Sequence, residues 1–86
     1  MIWSDVSYLL RSNISRRILE VLDKEMAPKQ ISQVTKIARS NVSTKLAELS
    51  KRGLASCMNP QDRKWRFYKI TEKGKSILKK AKETQS

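Results

Sequence analysis

Residues Pro28 to Leu54 read PKQISQVTKIARSNVSTKLAELSKRGL. The later half places Val42, Leu46 and Leu49 at i, i+4 and i+7, which makes one buried stripe on a helix from about Arg39 to Arg52. With that stripe inward, a helical wheel puts Ser40, Thr44, Glu48 and Lys51 roughly opposite. Asn41 and Lys45 fall on one flank and Ser43 on the other. Gly53 follows where a left-handed C-cap residue is expected, and Lys51 and Arg52 suit the negative end of the helix dipole. The earlier half is a shorter helix. Pro28 fits its first position, which needs no N–H, and Ile31 and Val34 are expected to face inward. Thr35-Lys36-Ile37 makes the turn between the two helices, with Ile37 as the apolar residue that locks them together.

Two helices around a tight turn form a helix-turn-helix. The second turns Ser, Asn, Thr and Lys outward at its N-terminal end, where such groups can hydrogen-bond to base edges in a major groove. Charge supports the same reading. The chain carries a net +11 without a single His. Between Lys29 and Lys69 stand ten basic residues against the acids Glu48 and Asp62, so that segment alone holds +8. Charge concentrated there points to a polyanion partner rather than to a merely solvated basic face.

Outward from this unit, Ile2, Trp3, Val6, Leu9 and Leu10 stand at helical spacings. They predict a short N-terminal helix capped by Ser4 with Asp5 in its first turn. Ser12 or Asn13 caps a second helix with the stripe Ile14, Ile18, Val21 and Leu22, widened by Leu19. Arg16 and Arg17 sit in its first turns, against the dipole, which a phosphate contact would explain. Leu54 to Asn59 reads as a strand, Pro60 to Lys64 as a turn, and Trp65 to Ile70 as a second strand. Thr71 caps a final helix with Glu72 in its first turn, Ile77, Leu78 and Ala81 inward, and a frayed end from Glu83.

The order of these elements predicts a mainly α fold with a small β-hairpin: a winged helix-turn-helix with a three-helix core, a wing and flanking helices. One domain spans 1–86. Its N-terminal helix covers 1–12, the helix-turn-helix 28–53, the wing 54–70 and the C-terminal helix 71–84.

Several function classes lose support. Without His or paired acids there is no evident general acid–base set for an enzyme. The two glycines, Gly53 and Gly74, make no phosphate loop and read as a helix cap and a close helix contact. The lone Cys57 excludes an internal disulfide, fits a reducing cytoplasmic setting and cannot build a metal site with scattered acids. It is expected to be an inert small hydrophobe on a strand rather than a redox switch. No apolar run is long enough to span a membrane. No cofactor is expected, and no small-molecule inducer can be named.

The chain resembles the small archaeal winged-helix regulators of the MarR/ArsR-like group. The shared pattern runs through YLLRS at Tyr8–Ser12, RR at Arg16–Arg17, ILEVL at Ile18–Leu22 and PKQIS at Pro28–Ser32. It continues with SNVSTKLAELSKRGL at Ser40–Leu54, NPQDRKWRFYKIT at Asn59–Thr71 and EKGK at Glu72–Lys75. The most specific parts are the reading helix with its RGL ending and the R-x-Y-x-[LI]-T-E-x-G exit from the wing. The resemblance implies a reading helix in the major groove, contacting DNA through Arg39, Ser40, Asn41, Ser43, Thr44 and Lys45. It implies a wing on the backbone or minor groove through Arg63, Lys64 and Arg66. Arg16, Lys29, Gln30 and Lys36 are expected as further backbone contacts. One departure stands out. The family commonly has Gly in the turn where this chain has Lys36. A left-handed Lys there costs roughly 1 kcal/mol more than Gly.

The function expected from sequence is therefore a sequence-specific regulator of transcription that binds double-stranded DNA, a repressor rather than an activator. A nonspecific or architectural nucleic-acid binder is the alternative, as is a winged-helix interaction subunit of a transcription or translation assembly. Trp3, Val6 and Leu10 at one end, with Ile77, Leu78 and Ala81 at the other, give more apolar surface than a small monomer readily covers. A homodimer through those six residues is expected. Trp65 is expected to pack at the wing root rather than to stack on a base.

Overall fold

Ser12 closes the first helix and opens the second. Its N–H donates to Tyr8 O at 2.9 Å, and its hydroxyl accepts from Ser15 N at 3.3 Å as the N-cap of the next helix. The computed structural model describes residues 2–62, 64 and 66–85, with only the backbone of residues 2 and 85. Among them lie α1 (Ile2–Arg11), α2 (Asn13–Val21), α3 (Pro28–Thr35), α4 (Arg39–Lys51), β1 (Ala55–Cys57), β2 (Tyr68–Ile70) and α5 (Glu72–Gln85). β1 and β2 pair antiparallel, with Ala55 opposite Ile70 and Cys57 opposite Tyr68. The far edge of β2 is also occupied. Met26 and Tyr68 exchange backbone bonds of 3.0 and 2.8 Å, and Ile70 N donates to Leu22 O at 2.9 Å. The Met26-Ala27 break after α2 thus anchors the wing to the helical core.

The predicted stripes form one core. Ile18, Leu19 and Leu22 of the second helical segment meet Val42, Leu46 and Leu49 of α4, all at most 1% exposed. Each such side chain removed from water contributes roughly 1.5–3 kcal/mol. Thr71 caps α5 as expected, its hydroxyl accepting from Gly74 N at 2.9 Å and donating to Gly53 O at 2.6 Å. Gly74 lies so close to the chain entering β1 that a Cβ there would stand 2.1 Å from Leu54 O.

Five expectations change. Ser4 lies inside α1 and does not cap it. Val34 is 57% exposed, and Thr35 takes its inward place beside Ile31. The Thr35 hydroxyl donates to Ile31 O at 2.6 Å and accepts from Ile37 N at 3.3 Å, so its burial leaves no polar group unpaired. The strands are shorter than predicted, and α5 runs on through Glu83 to Gln85.

The largest change concerns the dimer residues. Val6, Ile77, Leu78 and Ala81 are buried inside the domain, because α1 packs on α5, and Leu10 is half-buried against the same core. The apolar excess of the terminal helices is consumed within one chain. Of the six residues only Trp3 is exposed, at 61%.

Candidate nucleic-acid interface

The turn between α3 and α4 fixes the direction of the second helix. Lys36 is left-handed at φ 63°, the conformation the Gly-bearing pattern predicts. Its neighbours hold it: Ser32 Oγ donates to Ile37 O at 2.6 Å, and Arg17 donates to Thr35 O at 2.6 Å. Arg17 is therefore a brace for the turn. Arg16 reaches Asn13 Oδ1 at 2.5 Å.

Arg39, Ser40, Asn41, Ser43 and Thr44 are all exposed on α4, together with Ala47 and Lys51. The helix has no side-chain N-cap and no acid in its first turn. Its first backbone N–H groups have no partner within the helix, and its positive dipole end is not neutralised. The first turns of α2 and α3 likewise lack an acid, whereas α1 and α5 each begin with one. The first turns of α2, α3 and α4 thus all lack a neutralising acid, but Ser12 and Gln30 hydrogen-bond at the starts of α2 and α3, so only α4 also lacks a side-chain cap.

Two wheel positions depart from expectation. Glu48 is half-buried, turned toward α1, where the Tyr8 hydroxyl donates to its Oε1 at 2.6 Å. Lys45 follows it, 3.6 Å from the same oxygen and only 26% exposed in its side chain. The hydrogen bond from Tyr8 holds the Glu48 carboxyl below the usual carboxylate range, while burial and that same bond push the Tyr8 phenol up.

Between α4, the start of α3 and the wing lies a groove of about 650 Å³. Ala27, Pro28, Ser43, Leu46, Ala47 and Tyr68 form part of its lining. Lys29, Arg39, Lys64 and Arg66 also line it, and among the described residues no carboxylate does. The wing tip is braced from within: Asp62 accepts from Lys64 N at 2.9 Å and Arg66 Nε at 3.0 Å, and Asn59 Oδ1 accepts from Phe67 N at 2.8 Å. Arg63 and Trp65 fall outside the described residues. Gln30 has a structural task, its side-chain oxygen accepting from Ala27 N at 2.9 Å to close the first turn of α3. Lys36 is exposed beside the turn.

Behind α4 is a polar cluster for which no local sequence signal exists. Asp5 is buried yet bonded to Arg52 at 3.1 Å and Lys73 at 3.2 Å. Burial pushes its carboxyl up, but the two cations outweigh this and hold it below the ordinary value of 3.8. Among the described residues no group of His, Cys, Asp and Glu is arranged to hold a metal ion, and no helix is long and apolar enough to cross a membrane. Cys57 is half-buried on β1.

No protein-family model and no curated protein matches the chain. Solved structures do. A MarR family transcription regulator superposes with a TM-score of 0.73 at 19% identity, over 98% of this chain and 58% of that one. The multiple antibiotic resistance repressor MarR superposes with a TM-score of 0.72 at 19% identity, over 93% of this chain and 62% of that one. The fold is a winged helix-turn-helix. At this identity the likeness establishes the architecture, and the chain spans less than two thirds of the length of either structure. Within the winged helix, α4 is the second helix of the helix-turn-helix and β1–β2 the root of the wing.

Proposed function

We propose that the chain binds double-stranded DNA and regulates transcription, with α4 in the major groove and the wing on the backbone or minor groove. The groove between α4 and the wing carries this reading: four cations and, among the described residues, no carboxylate line it, beside an outward face of Ser40, Asn41, Ser43 and Thr44. Ammonium and guanidinium groups in that number neutralise phosphates and release counterions, and the polar face supplies donors and acceptors for base edges. Lys29, Arg39, Lys64 and Arg66 are the proposed phosphate contacts, and Arg16, Lys36 and Arg63 are proposed as further backbone contacts. Of the two structural neighbours, one is named as a transcription regulator and the other as a repressor. This supports regulation over catalysis, and repression over activation.

A nonspecific binding mode is the second reading. The groove cations are backbone binders, which position a protein on DNA but carry no sequence information. Titration of a random-sequence duplex and of a duplex enriched by binding-site selection separates the two. A regulator binds the selected site at least about a thousandfold tighter; equal affinities support the architectural mode.

A homodimer is part of the same proposal, now with Trp3 as its apolar anchor. A two-fold dimer requires an inverted-repeat site with half-sites about one helical turn, or a multiple of it, apart. Sedimentation analysis of the parent and of Trp3→Ala tests it; a parent that remains monomeric at tens of micromolar contradicts it.

A further inference from the structure

The reading helix carries a single carboxylate, Glu48. It is positioned from outside the helix. Tyr8 has one hydroxyl proton and gives it to Glu48 at 2.6 Å, so the 2.7 Å contact between Tyr8 and the buried Ser15 must be donated by Ser15. Arg52 sits 4.0 Å over the Tyr8 ring and is itself tied to Asp5. The far end of this chain of contacts is Lys45, drawn back to within 3.6 Å of Glu48 while the neighbouring reading residues stand exposed.

We propose that Tyr8 and Glu48 determine specificity by withholding the Lys45 ammonium from backbone phosphates. This rests on the DNA-reading function above. A lysine already paired with a carboxylate adds less to nonspecific, counterion-releasing attraction. Lys45 then engages only where a base edge offers acceptors that replace the carboxylate, and guanine O6 and N7 are such a pair. Glu48 acts on Lys45 directly. Tyr8 is a positioning residue that acts through Glu48, and so makes α1 a selectivity element without touching DNA. The hydrogen bond from Tyr8 also keeps Glu48 ionised to lower pH.

The test is a salt series on a random-sequence duplex. Glu48→Gln keeps an oxygen that accepts from Tyr8 and removes the charge that holds Lys45. It should tighten binding about two- to fivefold at low salt, the range of an exposed ion pair, and steepen the salt slope by about one. Adding Lys45→Ala should abolish the extra slope. Tyr8→Phe changes no charge and keeps the ring under Arg52. With melting temperature checked, it should move slope and affinity the same way by a smaller amount, again only while Lys45 is present. A gain from Glu48→Gln that persists undiminished beside Lys45→Ala is a net-charge effect and overturns the proposal. An unchanged slope in both single variants overturns it too, while the DNA-reading function stands. A parent that binds no duplex at low salt removes both.

Discussion

Asp5 and Arg52 meet at 3.1 Å, joining the first turn of α1 to the residue that caps α4. Lys73 of α5 approaches the other carboxylate oxygen at 3.2 Å, so one buried acid ties three helices together. Asp5→Asn should cost about 1–2 kcal/mol at neutral pH, since both cations remain partly solvated and the pair is worth less than a fully buried one. The folded carboxyl lies below 3.8. Its contribution is therefore complete above the unfolded value and is lost as pH falls through the folded one. Urea titrations in acid should show the parent and Asp5→Asn converging below about pH 4. A stability gap that stays constant down to the acid unfolding limit contradicts the assignment.

Gly53 and Gly74 separate two reasons for glycine. Gly53 has φ +77° and no close neighbour around its missing Cβ, so Gly53→Ala should cost about 1–2 kcal/mol from conformation alone. Gly74 is helical, where Ala is intrinsically better by about 1 kcal/mol. Yet a Cβ would stand 2.1 Å from Leu54 O. Gly74→Ala should cost about 3 kcal/mol or more, in the upper range of overpacking. Thermal melts that rank the two variants the other way would show that the chain at Leu54 yields to a Cβ at Gly74.

Lys36 is the reverse case, a left-handed position without glycine. Lys36→Gly should stabilise by about 0.5–1 kcal/mol, the relief of the left-handed penalty less the added flexibility of the unfolded chain. For a domain of this size that raises Tm by about 2–8 °C. The same substitution removes a cation beside the reading unit and should weaken binding to random-sequence DNA. A fall in Tm would mean that the Lys36 stem packs favourably in the turn.

Leu78 distinguishes a core from an interface. It is 8% exposed within the single chain. Leu78→Glu should therefore lower stability by about 3 kcal/mol or more, through an unpaired buried charge, rather than split a folded dimer. Far-ultraviolet circular dichroism during a melt reports this. A variant that melts like the parent but sediments more slowly would return Leu78 to the interface.

What the sequence reveals here follows from the range of the interactions. The stripes of α2 and α4, the Pro28 start, the Gly53 stop and the Thr71 cap are local patterns, and each stands where the spacing puts it. Val34 is misplaced because a wheel counts Ile31 and Val34 as one face, while the buried Thr35 satisfies its hydroxyl on the backbone and turns the helix further round. The terminal helices read as sticky surfaces because periodicity reports an apolar face and not what covers it. Tyr8 with Glu48, and Asp5 with Arg52, lie 40 and 47 residues apart, so no local pattern announces them. The cation groove is half legible: Lys64 and Arg66 belong to the predicted wing, but their convergence with Lys29 and Arg39 is a product of the fold.

The central claim is that the groove between α4 and the wing seats a phosphate backbone. Fluorescence anisotropy of a random-sequence duplex, from roughly 50 to 200 mM salt, measures it directly. The parent should show log affinity falling linearly with log salt. Arg39→Ala and Arg66→Ala should each flatten that slope by about 0.9, and together by about twice as much. Slopes identical to the parent in both variants, with the fold intact, would contradict the account.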